Sequence, residues 1–139
     1  MNSFMKYAAA ALAGAAAAGS IAYAQSASAP RAVISIYRAA PGHQEALLQW
    51  LAQQDRIAVS AGVPSSQLYA HTDGDSWDYL MISPVTTDAQ DAAIEAAAAK
   101  AGMPTGPKVG LELRKHIASH TDTMVVGPLT PAQMVDRYK

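Results

Sequence analysis

Arg31-Ala32-Val33-Ile34-Ser35-Ile36-Tyr37-Arg38 is the stretch that decides the fold. Ala32, Ile34 and Ile36 fall on one side of it and Val33, Ser35 and Tyr37 on the other, the period of two that a strand imposes. β-Branched residues dominate, so the segment is read as a strand. Both of its sides carry apolar groups, which predicts a sheet covered on both faces.

Downstream, Ala40-Pro41-Gly42-His43 breaks the strand and opens a helix with Glu45 in its first turn, where the dipole favours an acid. Leu47, Trp50, Leu51 and Ala58 recur at helical spacing until Ala61-Gly62-Val63-Pro64 ends the helix. Ser66 to Ala70 reads as a second strand, and Asp73-Gly74 is a tight-hairpin signal leading into a third, Trp77 to Ile82. Thr87 and Gln90 fit a capping box for an alanine-rich helix from Asp88 to Ala101, stopped by Gly102. A loop from Met103 to Lys108 leads to a second helical stretch, Val109 to Ser119. Thr123 to Val126 is the last strand, and Thr130-Pro131 caps a short tail helix. This order predicts an α+β, ferredoxin-like split βαβ fold (βαββαβ) with an antiparallel sheet and both helical segments on one face. The other face would stay apolar and uncovered, which calls for a partner, most simply a second copy.

Upstream, Lys6 precedes an apolar run beginning Ala8-Ala9-Ala10-Ala11-Leu12, and Ala22-Tyr23-Ala24 closes it with the pattern a signal peptidase reads. The run is too alanine-rich and too short for a lasting transmembrane anchor, which needs about 20 strongly apolar residues. The expected organisation is therefore a signal peptide over 1–24, a flexible linker over 25–30 and one domain over 31–139. The expected location is periplasmic or secreted, with no stable membrane insertion after cleavage.

With Lys6 lost in the leader, nine basic residues face eleven acidic ones, scattered along the chain. That balance does not suit a nucleic-acid surface. The chain has no cysteine, which excludes thiolate catalysis, cysteine-ligated metals and a lipoprotein anchor. Gly102-Met103-Pro104-Thr105-Gly106-Pro107 has prolines where a phosphate loop needs free N–H groups. Asp73, Asp75 and Asp78 lack the glutamate of a calcium loop and are read as turn formers.

The element order, the Tyr37-Arg38-Ala39-Ala40-Pro41-Gly42 junction and the hairpin ending in Trp77 to Ser83 together resemble the dimeric α/β-barrel superfamily. The antibiotic-biosynthesis-monooxygenase-like and NIPSNAP-like proteins belong to it. The resemblance spans Arg31 to about Pro128. It implies two sheets packed face to face, and it spreads over cofactor-free quinone-forming monooxygenases, haem-binding members and small isomerases.

Half of the histidines lie in Leu113 to Asp122. On a helix, Val109, Leu113, His116, Ile117 and His120 share one stripe, which would turn both imidazoles inward. Three readings stand side by side. The pair is structural, bonded to Asp122, Tyr79 or backbone. Alternatively, His116 and His120 are the catalytic anchors of a pocket between helix and sheet, with Tyr37, Trp77, Tyr79 and His71 as its lining and a small aromatic or quinone-like compound as ligand. That reading needs no cofactor. In the third, the same histidines hold haem or a divalent metal. Ile117 stands where a zinc protease has glutamate, and the haem-degrading relatives' asparagine has no counterpart beyond Asn2. His43, at the start of the first helix, is read as solvated.

Overall fold

The structure is a computed structural model that describes residues 30–139; the expected leader and all but the last residue of the expected linker lie outside the described residues. The elements run β1 (Arg31–Ala39), α1 (Gln44–Ser60), β2 (Gln67–Ala70), β3 (Tyr79–Pro84), α2 (Asp88–Lys100), α3 (Pro107–Leu113), β4 (Ile117–Val126) and α4 (Pro131–Asp136). Two βαβ units interleave, so the sheet order is β2-β3-β1-β4 with every neighbour antiparallel. This is the expected ferredoxin-like α+β fold. Among the described residues no helix is long and apolar enough to cross a membrane.

The two sides of β1 have different fates. Ser35, Tyr37 and Ala39 are buried, whereas Ile36 and Arg38 are exposed. The odd-numbered side faces the helices, where Tyr37 and Ala39 pack with Leu47 and Leu51 of α1, ringed by Trp50, Tyr79, Met81, Leu113 and Ile117. Each fully buried side chain of this size contributes about 1.5–3 kcal/mol, and Leu47 is completely enclosed. The even-numbered side is not covered by α1 and α2. Apolar residues such as Ile36 remain open on this second face, the face expected to stay uncovered within one chain.

Gly62 and Gly102 end α1 and α2 in the left-handed region, at φ 83° and 70°. Behind them the N–H groups of Val63 and Met103 reach back to the carbonyls of Ala58 and Ala98, the long bond of the glycine-terminated helix end. The expected capping box of Thr87 and Gln90 is present, and Thr130 and Gln133 repeat it at α4.

Two elements differ from the sequence reading. Asp73-Gly74 does not make a two-residue hairpin, because β2 ends at Ala70 and β3 begins at Tyr79. Asp78 belongs to the strand junction instead, bonded to Ala39 and Tyr37 of β1. The second difference concerns the histidines. The helix expected over Val109 to Ser119 is α3, which stops at Leu113, and the chain is extended from Ile117. Ile117, Thr121, Thr123 and Val125 are β-branched, and β1 offers a free edge along its whole length. The ladder from Arg31↔Val126 to Ala39↔Ile117 satisfies more backbone than two further helical turns would. His116 and His120 therefore do not share a helical stripe.

Candidate ligand-binding site

β4 carries a bulge: Arg38 pairs with Ser119 and Ala39 with Ile117, leaving Ala118 as the extra residue. Without it, Ala118 would meet the core. With it, Ile117 does, and Ala118 is exposed. Asp78 secures this corner. Its carboxylate accepts the Ala39 N–H at 2.7 Å, and its own N–H donates to the Tyr37 carbonyl at 2.9 Å. Ala40 N–H in turn donates to the His116 carbonyl at 2.9 Å.

Beyond the bulge, His120, Asp122 and Met124 point to the helix side of the sheet. Pairing sets Ala70 beside Tyr79, Tyr79 beside Tyr37 and Tyr37 beside His120. Three of the expected site residues thus form one row at spacings of about 4.8 Å between strands. The rings of Tyr37 and His120 are nearly parallel, 10° apart, with centroids 6.0 Å from each other.

One residue pair further along, the Ser35 hydroxyl donates to Asp122 Oδ1 at 2.6 Å, and Asp122 Oδ2 lies 3.4 Å from His120 Nε2. The carboxylate stands between hydroxyl and imidazole, so this is not a serine nucleophile activated by histidine, which would need the imidazole in the middle. Burial pushes the Tyr37 phenol up from its ordinary value; a hydrogen bond with Ser35 opposes this, and the Asp122 charge adds to it. Tyr37 therefore stays a neutral donor and acceptor well into alkaline solution.

The other expected site residues lie apart from the row. His116 sits in the turn before β4, its Nε2 3.8 Å from Glu112 and its ring 6.0 Å from that of His43. His43, expected to be solvated, is exposed at the head of α1. His71 and Trp77 pair at the opposite corner, ring centroids 4.9 Å apart. His71 Nε2, His116 Nδ1 and Trp50 Nε1 are buried without a hydrogen-bond partner among the described residues. All four histidines flank the same end of the sheet, which holds the end of β1 and the start of β4. No group of three histidine, aspartate or glutamate side chains among the described residues is placed to hold a metal ion. The i,i+4 helical spacing behind the haem or metal alternative is absent.

A pocket between helices and sheet was expected to hold these residues. The helix–sheet cleft between α1, α2 and β3, about 210 Å³, is lined instead by residues such as Leu51, Asp55, Met81 and Ile94. The row itself opens sideways, because β4 is an edge strand and His120 and Asp122 are solvent-accessible. Sequence reading assigned no role to Ser35 and took Asp78 for a turn former. Ser35 had one signal: it is the polar residue of the Val33–Tyr37 side of an otherwise apolar strand.

Neither a protein-family model nor a curated protein sequence matches the chain. Solved structures do resemble it. A protein of Agrobacterium tumefaciens aligns at 14% identity over 73% of this chain and 97% of its own, with a TM-score of 0.50. One from Mycobacterium tuberculosis aligns at 18% identity over 74% and 98%, at 0.49. A dimeric ferredoxin-like protein of unknown function from Thermobifida fusca aligns at 12% over 72% and 92%, at 0.45. These likenesses concern the fold.

Proposed function

We propose that the chain is an exported homodimer that binds a small aromatic or quinone-like compound at the Tyr37–His120–Asp122 row and removes a proton from it without a cofactor. The observation that carries this reading is an imidazole 3.4 Å from a carboxylate and beside a buried, neutral phenol. A planar phenol or enol laid over the exposed inner side of β4 would meet both. Its hydroxyl proton passes to Nδ1 of His120, and Asp122 stabilises the resulting imidazolium. The Tyr37 hydroxyl donates a hydrogen bond to the oxyanion formed. His116 and His71, each with a buried ring nitrogen that has no partner among the described residues, stand apart from the row at the same end of the sheet as secondary polar anchors.

The second copy is supported by the second face of the sheet. Ile36 is exposed there, and Ile34, Leu80 and Ile82 share its side by register. Packing two such faces together would complete a barrel. Export rests on the leader alone. Native mass spectrometry of the protein recovered from its own compartment tests all three parts. The expected species is a dimer of chains starting at Gln25, with a small-molecule increment that disappears in His120→Ala. A monomer with an intact leader and no increment in either protein would refute the reading.

A further inference from the structure

The tail after β4 is ordered into a capped helix, yet it is poorly covered. Every residue from Pro131 onward is exposed, including Val135 at 57% and Tyr138 at 82%. A six-residue helix is far below the length that holds itself together in water. Between this tail and the open face of the sheet runs a groove of about 850 Å³, lined by Ile34, Ile82 and Val125 on one side and by Leu129, Pro131 and Met134 on the other. Among the described residues that line it, Arg31 is the one charged side chain, and the tail's charges partly neutralise each other, Lys139 binding Asp136 at 2.8 Å.

We propose that Pro128 to Tyr138 is an arm that grips a second copy of this chain, which seats in the groove between arm and sheet. The inference rests on the dimer proposed above and names the element that holds it. Area supports it. A four-strand face about 20 Å on each side offers a footprint of roughly 400 Å². A standard interface buries roughly 800 Å² per partner. Corrugation narrows that gap, and the arm, continuous with the same apolar surface, supplies the remainder. The arm's exposed Met134, Val135 and Tyr138 are then the apolar groups the partner covers.

Sedimentation velocity over a concentration series of the full chain tests this, with far-UV circular dichroism on every variant. Ile36→Glu reports on the sheet face and the double substitution Met134→Glu, Val135→Glu on the arm. The expected result is a dimer in the unsubstituted chain and a dissociation constant raised tenfold or more by either variant. The spectrum and the melting of the dilute monomer should be unchanged. A dimer weakened by Ile36→Glu but not by the arm variant overturns the arm and leaves the dimer standing. An arm variant whose dilute monomer melts markedly earlier shows the arm packing on its own sheet, which also overturns the proposal. An unsubstituted chain that stays monomeric throughout removes the dimer itself, and the arm with it.

Discussion

Ser35 and Asp122 face each other across the β1–β4 ladder with 2.6 Å between hydroxyl and carboxylate. The hydroxyl is buried and the carboxylate half-exposed, so one oxygen is held by the fold while the other reaches His120. The bond fixes where the histidine's partner stands.

Ser35→Ala removes that anchor. A hydrogen bond to a charged group contributes about 1.5–3 kcal/mol, and solvent at Asp122 places the loss near the lower end. The expected outcome in denaturant unfolding is a loss of about 1.5 kcal/mol. A double-mutant cycle with Asp122→Ala should return most of it as coupling.

Tyr37 gives the fold an alkaline limb. Its pKa is raised on folding, so its contribution is fully present below the ordinary tyrosine value of about 10 and fades as pH climbs through the higher folded value. Stability of the unsubstituted protein should fall above about pH 10. In Tyr37→Phe that part of the slope should vanish. Tyrosinate difference absorbance should show one phenol titrating later than the others.

Asp55 acts at the other end of the scale. Burial raises its pKa. Hydrogen bonds from the Ser65 hydroxyl, at 2.6 Å, and the Ser66 N–H, at 2.8 Å, together with the Ser66 hydroxyl, outweigh burial and leave it lowered. The stabilisation is present above the ordinary carboxyl value of about 4 and lost as pH falls through the folded value. Asp55→Asn should cost about 1 kcal/mol at neutral pH and flatten the acid limb below about pH 4.

Asp78→Ala leaves the Ala39 N–H beside the bulge without its carboxylate acceptor. The expected loss is about 1.5–3 kcal/mol. Amide exchange of Ala39 and Ala40 should speed up while that of α2 stays slow, because the damage is local to the corner that positions His116 and Tyr37.

Periodicity made most of the fold legible. The alternation of β1, the Leu47/Leu51 stripe and the Thr87–Gln90 cap each follow from local geometry, and the element order then limits the topology to very few choices. The histidine segment did not yield, because Leu113 to His120 fits a helical stripe as well as a strand. Only pairing with β1, a contact between residues some eighty positions apart, decides between them. The Ala118 bulge was equally hidden, since one extra residue in a ladder has no signature in a single strand. Tyr37, Tyr79 and His120 stand in one row across the strands, with His120 on β4 rather than on the expected helix.

The proton-accepting role of His120 is tested most directly by titrating the full chain with para-nitrophenol near pH 6, where ionised probe is visible as yellow phenolate. A saturable rise in phenolate absorbance is expected on binding, abolished in His120→Ala and weakened in Asp122→Asn. An unchanged spectrum, or the same rise in His120→Ala, would rule out that role.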